Sequence, residues 1–280
     1  MIALMELDSP ALHHAVQLLA SHAVPAFCVA LAGVIAGVCG LWWLGLRYGV
    51  HRETSRLPRP AYLLGCLALG FALIIGAASL FAEVAKNLGD GRQLGRLDQL
   101  FSDTLRATLP LGALQVFALL THLGDTATLA SLCIAGALAL LWQRRYALCI
   151  GWVIAIAGNA LLNVTLKGIF ERTRPLHEHG LAFADGWSFP SGHSSGAVVA
   201  YGMLAYVLVR RLPARHAAAR LPILAAAAAL AFSIGCSRIF LQVHFATDVL
   251  AGFASGTAWL AVCIVALELA RLRQGRRPGA

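Results

Sequence analysis

Seven apolar runs constrain this chain more than any other feature of its sequence: Ala26–Leu46, Tyr62–Ala82, Thr126–Trp142, Ala147–Leu166, Ser194–Val209, Pro222–Ile239 and Val249–Ala270. A helix of about 20 apolar residues crosses the hydrocarbon core of a bilayer, and each run approaches that length. Within lipid every backbone N–H and C=O must find an internal partner, which long apolar helices provide. At 59% hydrophobic and 12% charged residues, the chain is far more apolar than a soluble domain of 280 residues. The predicted fold is therefore all-α, a polytopic membrane bundle of about seven transmembrane helices. Residues 1–60 are expected to hold an interfacial helix and one extra span, and residues 61–280 a six-helix membrane core.

Between the second and third runs, residues 83–124 form the longest stretch without a span. There Leu94, Leu97, Phe101, Leu105 and Leu109 recur at helical spacing, with Arg96, Asp98, Asp103 and Arg106 among them. That pattern predicts an amphipathic helix lying on the outer membrane surface. Leu111–Leu120 is apolar but short, and reads as a re-entrant or packed helix. Residues 1–25, with His13 and His14, read as a surface helix, and the acidic opening MIALMELDSP predicts no cleaved signal peptide. Seven cysteines without CxxC spacing read as small buried hydrophobes. The pairs Gly33/Gly37 and Gly252/Gly256 have the small-xxx-small spacing that packs neighbouring helices.

A net charge of +9 raises nucleic acid as a partner, but the basic residues sit in short clusters at the ends of apolar runs. No aromatic-interleaved basic face accompanies them, so no nucleic acid is expected. They act as topology signals instead. With the N-terminus outside, the inner loops and the C-terminal tail carry 14 of 22 basic residues and only two acids, Glu53 and Glu268. The outer side carries eight basic residues and 11 acids. That asymmetry obeys the positive-inside rule and predicts an inner-membrane protein with a cytoplasmic C-terminus. It also gathers Lys167, Arg174, His193, Arg238, His244 and Asp248 at the outer face.

Three outer stretches carry candidate chemistry. In CSRIFLQVHFATD, His244 and Asp248 are four residues apart, so a helix would set both on one face, where the carboxylate can orient the imidazole. Arg238 adds a permanent cation suited to phosphate oxygens. In FPSGH, Ser191, Gly192 and His193 precede a span, whose helix N-terminus offers free N–H groups to an anion. In KGIFERTRP, Lys167 and Arg174 flank the outer end of another span, and Lys167 is one of only two lysines against twenty arginines. Taken singly, these stretches also read as a structural charge cluster, a serine helix cap and an interfacial basic cap.

Together they read Lys-x6-Arg-Pro, Pro-Ser-Gly-His and Ser-Arg-x5-His-x3-Asp, in that order. This resembles the complete signature of the type 2 phosphatidic acid phosphatase family, over roughly Leu94–Ala270. The resemblance implies an integral membrane lipid phosphatase that works through a phosphohistidine. By it, His244 is the nucleophile, Asp248 its orienting carboxylate, and His193 the acid that protonates the leaving oxygen. Lys167, Arg174, Arg238, Ser191 and the Gly192 N–H would hold the phosphoryl oxygens. No cofactor is expected, because fixed cations and a helix N-terminus stand in for a metal, and Glu171, Glu178 and Asp185 are scattered.

The expected partners are a lipid phosphate and the bilayer itself. Among the family's substrates undecaprenyl diphosphate is favoured, with phosphatidylglycerophosphate, phosphatidate and lipid A phosphate as alternatives. A phosphotransferase would use the same residues, and a lipid transporter is the non-enzyme alternative. His177 and His179 in the loop between the first two motifs read as solvated, and Trp187 as an interface anchor or a lip over the lipid chain.

Overall fold

A computed structural model describes residues 10–47, 59–88, 92–175, 182 and 184–274. Among these the regular structure is helical throughout: α1 (Pro10–Ser21), α2 (Ala23–Arg47), α3 (Arg59–Lys86), α4 (Gln93–Thr108), α5 (Leu111–Thr121), α6 (Thr126–Trp142), α7 (Tyr146–Phe170), α8 (Gly192–Arg211), α9 (Arg220–Phe240) and α10 (Ala246–Gln274). Single 3-10 turns follow α5 at His122–Gly124 and α8 at Ala214–Ala219. His177, Glu178 and His179 lie outside the described residues, as do Arg52, Arg56, Arg276 and Arg277 of the basic clusters.

Among the described residues six helices are long and apolar enough to cross a membrane. The remaining apolar run, α6, is only 17 residues long. The amphipathic segment appears as α4, and α5 breaks from it by 118°, so the two form a bent pair at one end of the bundle. α1 packs beside α4, with Thr108 Oγ1 donating to the Ala20 carbonyl at 3.4 Å.

α8 is the central helix. α7, α9 and α10 all pack against it, while α3 leans on α10, α2 and α5 on α9, and α6 on α7. Trp152, Val199, Met203 and Val207 form the core where α7 meets α8. Buried indole N–H groups find acceptors: Trp152 donates to the Cys133 carbonyl at 2.8 Å and Trp259 to the Ala155 carbonyl at 2.9 Å. Nearer the α4–α5 end, Phe27 of α2, Phe117 of α5 and Phe240 of α9 stack on one another, with ring centroids 4.0–5.9 Å apart.

The two glycine pairs behave differently. A β-carbon on Gly252 would lie 2.6 Å from the Ser191 carbonyl oxygen, and one on Gly256 2.8 Å from that of Ser195. This pair therefore lets α10 and α8 touch backbone to backbone, as its spacing predicts. Gly33 and Gly37 meet no described atom within 4 Å, so their spacing does not mark a helix contact here. α2 packs mainly on α9, with Phe27 also reaching Phe117 of α5, and the face that carries Gly33 and Gly37 is exposed. The cysteine reading also needs one correction, since Cys28 on the same helix is exposed whereas Cys149 and Cys263 are buried.

Overpacking a close helix contact costs about 1–3 kcal/mol. Gly252→Val should accordingly lower the thermal unfolding temperature of the detergent-solubilised protein, while Gly33→Val should leave it unchanged; parallel melting curves check both.

Candidate active site

The three motif stretches fold into one end of the bundle because each ends or begins a helix there. α7 stops when Glu171 takes a left-handed conformation (φ 44°) and donates its N–H to the Lys167 carbonyl at 3.1 Å. The chain then leaves in extended form, carrying Arg172 and Arg174. Ser191 caps α8, accepting from the Ser194 hydroxyl at 2.8 Å and donating its own N–H to the Asp248 carbonyl at 3.0 Å. α9 and α10 are joined by a tight turn in which Gln242 has φ 52°. In that turn the Arg238 carbonyl accepts the N–H groups of Val243 and His244, which sets His244 directly above Arg238.

A cavity of about 590 Å³ opens between α6, α7 and α8. Lys167, Arg174, Gly192, His193, Arg238 and His244 line its polar end. Away from them the wall becomes apolar, with Leu129, Cys133, Ile134, Ile156 and Val164. Two predicted site residues, Ser191 and Asp248, lie behind the wall and are completely buried. The structure thus brings seven of the eight predicted residues to the cavity or to direct support of one that lines it, and leaves Ser191 as a helix cap.

His244 is held from both sides. Its Nδ1 lies 3.4 Å from Asp248 Oδ2 and 3.3 Å from Ser188 Oγ, and its Nε2 lies 3.1 Å from Arg174 Nη1. Asp248 also accepts the Phe245 N–H at 2.9 Å and the Ser188 hydroxyl. With a proton on Nδ1 facing the carboxylate, the lone pair of Nε2 points toward the cations. Burial drives the His244 pKa down to about 3, against the pull of Asp248, and the charges of Arg174 and Arg238 push the same way. The imidazole is therefore neutral at neutral pH, the form in which nitrogen is nucleophilic.

The cations are arrayed around it. Arg174 is anchored by the carbonyls of Asp185, Gly186, Trp187 and Val243 at 2.6–3.1 Å. Burial lowers its pKa, with Asp248 and Asp185 opposing. Lys167 Nζ donates to the Trp187 carbonyl at 2.7 Å, so that loop ties two cations together. Arg238 donates from Nη1 to Thr121 Oγ1 at 2.6 Å, and its Nε is buried without a partner. An unsatisfied guanidinium N–H at a cavity wall is costly unless an anion completes it.

Four residues escaped the sequence reading. Asp125, between the 3-10 turn and α6, sits 2.9 Å from His193 Nε2 and 2.8 Å from His122 Nδ1. Burial alone would raise its pKa, but these two histidine hydrogen bonds outweigh it and hold the carboxyl below its usual range. Ser188 bridges Asp248 and His244. Arg172 lies inside the first motif's spacer and pairs with both Asp248 and Asp98. Asp98, expected on the polar side of α4, is instead buried with Ser102 and Leu105 on the face turned to the bundle. Asp125 and Ser188 carried a signal in their position, each just ahead of a helix that ends at the site. A charge on an amphipathic helix such as Asp98 carries none.

Comparison with known proteins agrees with this geometry. The profile of the PAP2 superfamily matches residues 146–271, which run from the start of α7 almost to the end of α10. Phosphatidylglycerophosphatase B of Bacillus subtilis is 35% identical over 144 residues, covering 51% of this chain and 69% of that protein. The crystal structure of a transmembrane PAP2-type phosphatidylglycerolphosphate phosphatase from Bacillus subtilis superposes with a TM-score of 0.64 at 25% identity, covering 74% of this chain and 98% of the other. The family profile and the shared identity with phosphatidylglycerophosphatase B place this chain in the PAP2 superfamily as a multi-pass membrane lipid phosphatase.

Proposed function

We propose that the protein removes a phosphoryl group from a lipid phosphate or diphosphate through a phosphohistidine on His244, without a metal. The observation that carries this reading is the buried His244 ring, fixed by Asp248 on one nitrogen and facing Arg174 and the cavity with the other.

The incoming phosphoryl group draws Arg174 from Nε2 onto its oxygens, joined by Lys167, Arg238 and the N-terminal N–H groups of α8. Nε2 then attacks phosphorus, the bond to the lipid oxygen breaks, and the electron pair leaves on that oxygen. His193 protonates it. Asp125 engages His193 through Nε2, which assigns Nδ1 to the leaving group. As positive charge grows on the His244 ring, Asp248 offsets it. In the second step His193 takes a proton from water, the water oxygen attacks phosphorus, and the N–P bond breaks to release inorganic phosphate. Phosphoryl transfer depends mainly on positioning and charge stabilisation, and three cations meet both needs here.

The charge asymmetry of the loops supports an active site at the outer face of the cytoplasmic membrane, with the N-terminus outside. The apolar walls below the cations suit a lipid tail that stays at bilayer depth while its phosphate meets water. The name of the Bacillus subtilis relative makes phosphatidylglycerophosphate the first substrate to test. Undecaprenyl diphosphate, favoured among the family's substrates from the sequence, stands beside it.

Phosphate release from the purified protein in detergent and EDTA should proceed with one of these lipids, phosphatidate or lipid A, and loss of activity in EDTA would remove the metal-free mechanism. His244→Ala should abolish release and the acid-labile label on histidine. His193→Ala should slow turnover by about 10²–10⁴-fold, the usual worth of a general acid; a variant that kept full biological activity would point to transport instead.

The His244 ring itself offers a separate check. Its pKa falls from 6.5 to about 3 on folding, so protonation opposes the folded state. The stability this provides is complete above pH 6.5 and is lost as pH falls toward 3. NMR of labelled histidine should find His244 neutral at pH 5, and titration near 6.5 would contradict its burial.

A further inference from the structure

Neither Arg172 nor Asp98 is a defining position of any motif, yet with Asp248 they form a buried ionic group behind the cavity. The Arg172 guanidinium divides its fork between two carboxylates: Nη1 reaches Asp248 Oδ1 at 2.7 Å and Nη2 reaches Asp98 Oδ2 at 2.8 Å. The side chains are 12%, 0% and 4% exposed for Arg172, Asp248 and Asp98. Nη1 also donates to Thr247 Oγ1 at 2.8 Å, and the guanidinium lies 4.2 Å over the Phe245 ring. Asp98 in turn accepts the Thr247 N–H at 3.2 Å and its hydroxyl. One guanidinium thus grips both the first turn of α10 and the buried face of α4.

We propose that Arg172 and Asp98 are positioning residues for the reaction, forming a relay from α4 that holds the Asp248 carboxylate in register with His244. The inference rests on His244 as nucleophile. Asp248 has two oxygens with distinct duties: Oδ2 faces His244 Nδ1, Ser188 and the Phe245 N–H, and Oδ1 is taken by Arg172. Without Arg172, Oδ1 would be a buried, unpaired anion, and the carboxylate would rotate or draw in water. Asp98 completes the other half of the fork, so Arg172 cannot swing wholly onto Asp248 and quench the charge that His244 needs. Only a planar bidentate cation can bridge two carboxylates in this way.

Asp98 lies 149 residues before Thr247 and outside the residues that match the PAP2 profile. It therefore ties the α4–α5 pair, which the family match does not include, to the centre of the reaction.

The charged groups around His244 are Asp248 on α10, Arg174 after α7 and Arg238 on α9, with Arg172 acting through Asp248. This arrangement predicts opposite effects on the ring. In Asp98→Asn the guanidinium is freed toward Asp248, weakens its field and lowers the His244 pKa further. In Arg172→Ala the Asp248 charge is uncompensated and the pKa rises.

The experiment measures kcat, KM, the yield of trapped phosphohistidine and the His244 NMR titration in Asp98→Asn, Arg172→Lys, Arg172→Ala and the double variant Asp98→Asn/Arg172→Ala. Each variant is first shown to be folded by its melting curve. Asp103→Asn, an exposed acid on the same helix, serves as the unchanged control. Expected are kcat losses of roughly 10–100-fold with KM nearly constant, as for other groups that orient a reactive ligand from behind. Arg172→Lys should fall between wild type and Arg172→Ala, the double variant should be no slower than Arg172→Ala alone, and the two titration shifts should have opposite sign. Wild-type kcat in Asp98→Asn, or an unmoved His244 titration in a folded Arg172 variant, would overturn the relay. Absence of phosphohistidine in the wild type would instead overturn the nucleophile assignment, and the two failures are thereby distinguishable.

Discussion

The site is organised by a single buried carboxylate. Asp248 lies at the first turn of α10 with no exposure, and a bare anion there would cost several kcal/mol in desolvation. It is sustained because donors converge on both oxygens: Arg172 on one, and the Phe245 N–H, the Ser188 hydroxyl and His244 on the other. The donors come from three pieces of chain: Arg172 after α7, Ser188 before α8, and His244 with Phe245 in the turn between α9 and α10. Satisfying Asp248 therefore fixes the end of α7, the loop before α8, the turn after α9 and the start of α10 relative to one another. His244 is held in place by the same contacts that make the carboxylate tolerable.

Around that centre the helix packing sets the shape. Gly252 and Gly256 allow α10 to press directly on α8, which brings the N-terminus of α8 within a hydrogen bond of the Asp248 backbone. The stacked rings of Phe27, Phe117 and Phe240 seal the opposite flank below α4 and α5. On the remaining side α6, α7 and α8 leave the cavity, polar at the cations and more apolar away from them. A phosphorylated lipid matches that gradient, with its charged head among arginines and its tail against leucine and isoleucine.

Much of this was legible without coordinates, for physical reasons. Apolar runs of membrane length leave a chain few options but a helical bundle. Arg, Lys, His and Asp beside such runs are too costly to be incidental, so Lys167, Arg174, His193, Arg238, His244 and Asp248 stood out. The i, i+4 spacing of His244 and Asp248 foretold their contact even though His244 proves to sit in the turn just before the helix. Legibility failed where a residue's environment depended on another element. Gly33 and Gly37 share the spacing of Gly252 and Gly256, yet only the second pair has a helix against it. Asp98 has the same sequence surroundings as any solvated acid on an amphipathic helix, and its burial follows from Arg172 arriving from after α7.

The sequence by itself determined the membrane class, the topology signals and the set of charged side chains that gather at one end of the bundle, because these follow from local composition and short spacing. Tertiary structure alone decided which side chains meet: Asp98 with Arg172, Asp125 with His193, and Ser188 with His244. Those pairings join residues far apart in the chain, and a buried charge shows its partner only when the helices that carry both have been packed.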